Sequence, residues 1–224
     1  MLNNTTHSTK RNNSYEVPRN NYLCFNDSSV LTQTLYAKIR QLSEENKRLK
    51  RLSFIDSLTG LPNRRALFHS LKSEIDRAAR DKTHLSIALI DIDWFKKIND
   101  NDGHLAGDKC LEAFGCLLKK VLRRPADECF RYGGEEFVVM LPDTDISGLA
   151  EVTNQIRSSC QNLSVPFANK RIRFSVSIGG TSAVGGKFLN TDRLLKCSDS
   201  LLYKAKAEGR NRCYIREDLI SEEL

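Results

Sequence analysis

Four acidic residues stand where carboxylates add nothing to a core. Glu135 and Glu136 follow the pair Gly133-Gly134, between the runs Phe130-Arg131-Tyr132 and Phe137-Val138-Val139-Met140-Leu141-Pro142. Aromatic and β-branched runs flanking Gly-Gly predict a β-hairpin whose turn needs positive φ, and this one carries two adjacent, mutually repelling carboxylates at its tip. Asp91 and Asp93 close the apolar run Leu85-Ser86-Ile87-Ala88-Leu89-Ile90, and their spacing sets both on the same face of a strand. A carboxylate at the end of a buried strand is costly unless it is hydrogen-bonded or meets a cation. A bare Gly-Gly also lets another molecule approach the backbone closely. Together these residues point to a cation or nucleotide site. The plainer alternative is a tight turn with solvated glutamates.

The elements that must position these groups follow from apolar spacing and punctuation. Asp56-Ser57-Leu58-Thr59-Gly60-Leu61-Pro62-Asn63-Arg64-Arg65 interrupts a helix with Gly60 and Pro62. It then offers Asn63 as the N-cap of a helix to about Arg80, with Leu67, Leu71, Ile75 and Ala78 on one face. The acid-ended run reads as a central strand covered on both faces. A short helix from Trp94 to Asn101 follows, closed by Asn101-Asp102-Gly103. That acidic patch is not an EF-hand, because Ile98 stands where such a loop requires Asp. His104 to Arg124 reads as a long helix with Cys110, Leu111, Phe114, Leu117, Leu118, Val121 and Leu122 apolar, and Pro125 precedes the hairpin. Asp145 or Ser147 caps a helix reaching Leu163. Arg171 to Ile178 alternates as a strand ended by Gly179-Gly180, and a last helix, Thr191 to Ala207, is stopped by Gly209. Cys213-Tyr214-Ile215 makes a final short strand. Helices and strands alternating around one hairpin imply a two- or three-layer α/β sheet of mixed direction.

The sequence divides into a polar arm (1–28, expected disordered), a helix (29–55), a globular domain (56–216) and a charged tail (217–224). In the helix Leu35, Ile39, Leu42, Asn46 and Leu49 form a short heptad seam with Asn46 at the same kind of position as Ile39. This predicts a parallel coiled-coil homodimer; the alternative is an amphipathic helix packed on its own domain. Lys47, Arg48, Lys50 and Arg51 lie within and after the seam, whereas a basic zipper places its cations before it, so nucleic acid is not an expected partner. No apolar run approaches the roughly 20 residues of a membrane span, and Met1 to Asn13 has no signal-peptide core, so a cytoplasmic protein without membrane contact is expected. Seven cysteines without a C-x-x-C pair read as reduced, mostly core residues. The net charge of +7 favours an anionic partner.

From Asp56 to Ile215 the chain resembles the GGDEF family of diguanylate cyclases, with Gly133-Gly134-Glu135-Glu136-Phe137 as the name motif in its Glu variant. The resemblance extends to Asp56–Arg65, Asp91-Ile92-Asp93-Trp94-Phe95-Lys96, Asn99-Asp100, Gly103-His104 with Gly107-Asp108, and Lys206-Ala207-Glu208-Gly209-Arg210-Asn211. It implies an α/β (α+β) fold with a central mixed five-stranded sheet wrapped by helices, similar to polymerase palms and nucleotide cyclases. It also implies an enzyme that condenses two GTP into cyclic di-GMP and two pyrophosphates, with one GTP on each half of a homodimer. Mg2+, or Mn2+, would be held by Asp91, the Ile92 carbonyl and Glu135, and Glu136 would be a second metal ligand or the proton acceptor for the 3′-hydroxyl. Asn99 and Asp108 would read guanine, since Asn supplies donor and acceptor while Asp accepts from the N1–H and amino groups. Trp94 and Phe95 would bring backbone N–H groups to the phosphates, with Lys96, Lys206 and Arg210 as cationic clamps. Individually, Trp94 and Phe95 read equally as core, and Lys206 and Arg210 as cations favoured at a helix C-terminus.

Arg124-Pro125-Ala126-Asp127, ending shortly before Gly133, resembles the family's inhibitory product site, with Arg124 and Asp127 gripping cyclic di-GMP. The bland counterpart is a cation at a helix end followed by a turn. The extra arginine that relatives supply from the next helix falls at Gln155, with Arg157 nearby. Two rival functions stand beside this one: a non-catalytic receptor for GTP or cyclic di-GMP signalling through the N-terminal helix, and a guanylate cyclase making cyclic GMP within one site.

Overall fold

The computed structural model describes residues 25–186 and 189–218, with the side chains of 25–29 and 46–53 outside that description. Two compact units divide at Leu49 and Lys50. The first is the body of helix α1 (Phe25–Phe54), which begins four residues before the expected helix start at 29. Leu35, Ile39 and Leu42 are exposed on it. The polar arm up to residue 24, and the side chains of Asn46 and Leu49 in the proposed seam, lie outside the described residues. Among the described residues no helix is long and apolar enough to cross a membrane.

The second unit is built on a five-stranded sheet. Its strands are β1 (His84–Ile92), β2 (Glu128–Gly133), β3 (Glu136–Pro142), β6 (Val176–Val184) and β7 (Cys213–Glu217), in the order β2-β3-β1-β6-β7. The central β1 runs antiparallel to both neighbours, and β6 pairs with β7 in parallel, so the sheet is mixed. A separate two-stranded hairpin joins β4 (Val165–Phe167) to β5 (Lys170–Ile172). The helices are α2 (Arg64–Asp81), α3 (Phe95–Asp102), α4 (His104–Val121), α5 (Ile146–Gln161) and α6 (Thr191–Ala207).

Alternation along β1 sorts the core into two layers. Ala88, Ile90 and Ile92 join Phe114, Leu118, Leu149 and Ile156 of α4 and α5. Leu85, Ile87 and Leu89 join Leu67, Leu71, Leu194 and Leu202 of α2 and α6. The run is apolar on both faces because helices cover both. By the same alternation Asp91 belongs to the α2/α6 face, and so does Glu136, whose register neighbours Val138 and Met140 pack there.

Local chemistry explains the helix ends. Asn63 caps α2 by accepting from Arg65 N and Ala66 N, and Asp145 caps α5 by accepting from Gly148 N. Helix α4 stops at Val121, three residues before the expected Arg124, because Leu122 turns extended and packs against the core. The strand expected over Arg171–Ile178 is in fact two: β5 ends at Ile172 and β6 starts at Val176.

Gly179-Gly180 does not end β6, which continues to Val184. A Cβ on Gly179 would sit 2.1 Å from Leu202 N and 2.2 Å from Ser198 O, so the glycine admits the backbone of α6 onto the sheet. The final strand is also longer than expected, reaching Glu217, and Asp218 pairs with Arg193 of α6 at 2.6 Å. Among the described residues Cys110, Cys129, Cys160 and Cys197 are buried, Cys213 is half-buried and Cys116 is exposed, all as free thiols. Burial pushes Cys110 and Cys129 up to about 11 and Cys160 to about 12, which keeps them unreactive.

Candidate active site

The end of β1 and the tip of the β2–β3 hairpin meet on the α2/α6 face. Asp91 lies opposite Glu136 in the strand register, and Ile92 N donates to the Glu135 carbonyl at 3.3 Å. From the last turn of α6, Lys206 Nζ reaches Asp91 Oδ2 at 2.7 Å. Asp91 is only 6% exposed. Burial pushes its carboxyl up to about 6 against the pull of Lys206, and the charges of Glu135 and Glu136 push it further. Burial also raises Glu136, with Lys206 drawing it down and Glu135 opposing. Asp91, Glu135 and Glu136 thus repel one another, while Lys206 and, at Glu136, Arg64 pull the other way. Among the described residues no three acidic, His or Cys side chains cluster tightly enough to hold a metal ion unaided.

The hairpin turn is offset by one residue from the Gly-Gly pattern. Gly133 is the last residue of β2 and pairs with Glu136, which leaves Gly134 and Glu135 as the two-residue loop. Only Gly134 takes a positive φ, 54°. The register that holds Glu136 to both Asp91 and Gly133 keeps it in the strand, so the loop closes before it.

Arg131 was not singled out by sequence, yet it braces this loop. Its Nη1 donates to Asp56 Oδ1 and Oδ2 at 3.0 and 3.1 Å, while Nε and Nη2 donate to the Gly134 carbonyl at 3.0 and 2.9 Å. Asp56 also accepts from Thr59 N and Oγ1. Burial would raise Asp56, but these hydrogen bonds outweigh it and hold the carboxyl below its ordinary value. The opening motif is thereby a strut for the hairpin.

Asp93 parts company with Asp91. Its Oδ1 accepts from Ser177 Oγ at 2.6 Å, and its Oδ2 accepts from Ser175 Oγ at 2.6 Å and Asn211 N at 3.0 Å. The second acid of the strand end is therefore satisfied by protein donors. Trp94 follows with φ 58°, which turns the chain into α3. Its side chain is exposed, whereas Phe95 is buried in the core. Arg210 Cζ and Lys97 Nζ both lie over the Trp94 ring, 3.9 and 4.0 Å from its centroid. Lys96 is exposed at the start of α3.

Asn99 on α3 packs against Gly107 of α4, the residue before Asp108. A Cβ on Gly107 would lie 2.0 Å from Asn99 Oδ1, so the glycine makes the cradle in which the amide sits. Asn99 Oδ1 is buried with no hydrogen-bond partner. An acceptor in that state is a place for a ligand donor.

Arg124 and Asp127 lie elsewhere, beside Pro142 at the far end of β3. Glu136 and Pro142 are the two ends of this seven-residue strand, roughly 20 Å apart at strand rise. Arg124 donates to Thr144 Oγ1 at 2.8 Å and to the Pro142 carbonyl at 3.1 Å, and its Nε is 3.8 Å from Asp127 Oδ1. That Asp127 oxygen is buried without a hydrogen bond, and burial raises the carboxyl while Arg124 lowers it. Gln155 lines a groove between α4 and α5 with Lys120 and Arg123, and Arg157 bonds Gln161 at 3.3 Å.

A mixed sheet with an acid pair at its centre and a cationic helix end beside it is the architecture of a nucleotide-cyclase-like domain. The profile of the family described as "Diguanylate cyclase, GGDEF domain" matches residues 53–212, and the chain belongs to that family. It is 40% identical over 168 residues to the diguanylate cyclase DgcP of Pseudomonas aeruginosa, covering 75% of this chain and 24% of that one. The chain spans only part of its curated relatives' length: 24% of DgcP, and 52% of the diguanylate cyclase DgcS of Shewanella oneidensis, to which it is 36% identical. Among solved structures, the coiled coil and GGDEF domain of DgcB from Caulobacter crescentus in complex with c-di-GMP superposes with a TM-score of 0.75. That alignment has 26% identity over 85% of this chain and 98% of that one. The active GGEEF domain of a diguanylate cyclase from Vibrio cholerae gives a TM-score of 0.61 at 35% identity, over 69% of this chain and 97% of that one.

Proposed function

We propose that this chain is a diguanylate cyclase that joins two GTP molecules into cyclic di-GMP, releasing two pyrophosphates. The observation that carries the reading is the acid cluster at the strand end: Asp91 buried opposite Glu136, with Glu135 on the loop and Lys206 drawn onto Asp91. A receptor that had lost catalysis would have no use for this costly arrangement, and all three acids are present.

The donor set suits Mg2+, which takes hard oxygen ligands and is usually held by one or two carboxylates plus substrate phosphates and waters, without an all-protein cage. Asp91, Glu135 and the Ile92 carbonyl would hold it, with Glu136 as an additional ligand or as the acceptor of the 3′-hydroxyl proton. Bound there, the ion would offset triphosphate charge and lower the cost of deprotonating the attacking hydroxyl. Lys206 and Arg210, with Lys96 and the backbone N–H groups of Trp94 and Phe95, would grip the triphosphate. Asn99 and Asp108 would select guanine: the unpartnered Asn99 oxygen meets a donor in guanine and an unfavourable match in adenine.

Each domain would hold one GTP. The 3′-oxygen of one attacks the α-phosphorus of the other, the bond to the bridging oxygen of the pyrophosphate breaks, and the same exchange in the opposite sense closes the ring. Two domains must face each other, and the exposed Leu35, Ile39 and Leu42 of α1 suit a coiled-coil homodimer that brings them together. Arg124 and Asp127, on the far end of the sheet, would bind product and hold the domains in a nonproductive arrangement.

The test is to incubate the purified protein with GTP and Mg2+ and to weigh the product by mass spectrometry. Cyclic di-GMP is expected. Cyclic GMP, or unreacted GTP across protein concentrations and salt, refutes the proposal.

A further inference from the structure

We infer that the side chain of Trp94 is a positioning residue, which holds the guanidinium of Arg210 ready for nucleotide phosphates while Asp93 anchors the loop behind it. The inference rests on the reading of Arg210 as a phosphate clamp. Its ground is the way two adjacent residues at the end of β1 clasp two adjacent residues after α6.

Trp94 is 53% exposed, so its large ring is not there to fill the core. It also sits in the left-handed region at φ 58°, a conformation a bulky residue rarely takes without a reason. The loop it faces is equally constrained: Gly209, Arg210 and Asn211 have φ of 113°, 62° and 50° in succession. Backbone of that kind persists only where its surroundings over-determine it. Here they do. Arg210 N donates to the Ala205 carbonyl at 3.0 Å, and the Arg212 carbonyl accepts from Ile178 N at 2.9 Å. Asn211 N donates to Asp93 at 3.0 Å, and Asp93 is itself fixed by Ser175 and Ser177.

Backbone anchoring leaves the long Arg210 side chain to be ordered, and Trp94 does that. The guanidinium carbon lies 3.9 Å from the ring centroid, well inside the roughly 6 Å within which a cation is drawn to an aromatic face. Stacking uses the face of the guanidinium, so its in-plane N–H donors stay available to phosphate oxygens. A clamp held this way loses less side-chain freedom when the nucleotide arrives. Lys97, 4.0 Å from the same centroid, adds a second positive charge on the ring. The second acid and the aromatic of the Asp91-Ile92-Asp93-Trp94 run thus act through Arg210 and not on the nucleotide directly.

The experiment measures binding without turnover, by calorimetry of the full chain with a GTP analogue whose α–β bridging oxygen is replaced by methylene. Trp94→Leu should weaken binding by about 3- to 30-fold, the range of a cation–π contact, and Trp94→Tyr should recover most of that loss. In an Arg210→Gln background the same Trp94→Leu change should cost less than about twofold, because the partner it acts through is gone. Equal cost in both backgrounds overturns the inference. Trp94 is the only tryptophan in the chain, so its fluorescence reads the stack directly. Acrylamide should quench it more readily in Arg210→Gln than in the parent, with no nucleotide present. Unchanged quenching refutes the stack, whereas an altered stack in a protein that binds no analogue refutes the nucleotide reading and leaves the contact standing.

Discussion

Replacing Asp91 by Asn should make the ligand-free protein more stable while abolishing its activity. Burial lifts the Asp91 carboxyl from its ordinary 3.8 to about 6. The folded chain therefore holds this proton more tightly than the unfolded chain, and stability falls as pH rises from about 4 through 6. Two units at about 1.4 kcal/mol each give a deficit of about 3 kcal/mol above pH 6 that the Asn variant escapes. Removing the carboxylate also deprives Lys206 of its partner, but that side chain is 32% exposed and returns to water at a cost under about 1 kcal/mol. Asp91→Asn should then gain about 2 kcal/mol over the parent at pH 8 in urea unfolding without Mg2+ or nucleotide, and much less at pH 4.5. Turnover should drop by at least about 100-fold, as expected when a charge aimed at the reacting centre is lost. A variant less stable than the parent at pH 8, or offset by the same amount at both pH values, would refute the claim that Asp91 is held ionised at the fold's expense.

Gly179→Ala should cost about 2 kcal/mol or more, read as a lower urea midpoint, because its methyl meets backbone of α6 and no flexible side chain can give way. Asn99→Ala should lower the preference for GTP over ATP by about 100-fold in kcat/KM while the fold melts unchanged, since discrimination there comes from a buried polar atom. Arg124→Ala should raise the cyclic di-GMP concentration needed for half-inhibition by about 30-fold or more, with the initial rate close to the parent's. If the same product concentration inhibits both proteins, the site is elsewhere. Deleting residues 1–52 should give a folded monomer by sedimentation whose activity depends on concentration; a truncation as dimeric and active as the parent would put the interface in the globular domain.

What sequence could disclose was whatever depends on near neighbours. The Asn63 cap, the apolar faces of α2 and α4 and the acid-ended β1 are written in spacings of a few residues, and each appears where expected. Features set by distant partners were misread or missed. Gly179-Gly180 looked like a strand terminator because nothing local announces that α6 will lie against it. For Asp93 the sequence leaves open a hydrogen-bonded acid or a cation ligand, and only the distant Ser175, Ser177 and Asn211 decide for the first. Arg131 and Asp56 are 75 residues apart, and no periodicity joins them. The β4–β5 hairpin escaped notice because three-residue strands turning at Ala168, φ 48°, carry too short a pattern.

The pairing of Asp93 with Asn211 closes a span of 118 residues, and the central strand waits for β6 before both its edges are covered. During synthesis the acid-bearing strand and the hairpin leave the ribosome well before α6 and the loop after it. Contacts this distant in sequence form late, after the loss of chain entropy they require. A nascent or prematurely ended chain therefore displays acids without their lysine and a hairpin without its opposing loop. The two halves of the site thus come from opposite ends of the domain, and Lys206, Arg210 and Asn211 reach Asp91, Trp94 and Asp93 only once α6 and the loop after it are made.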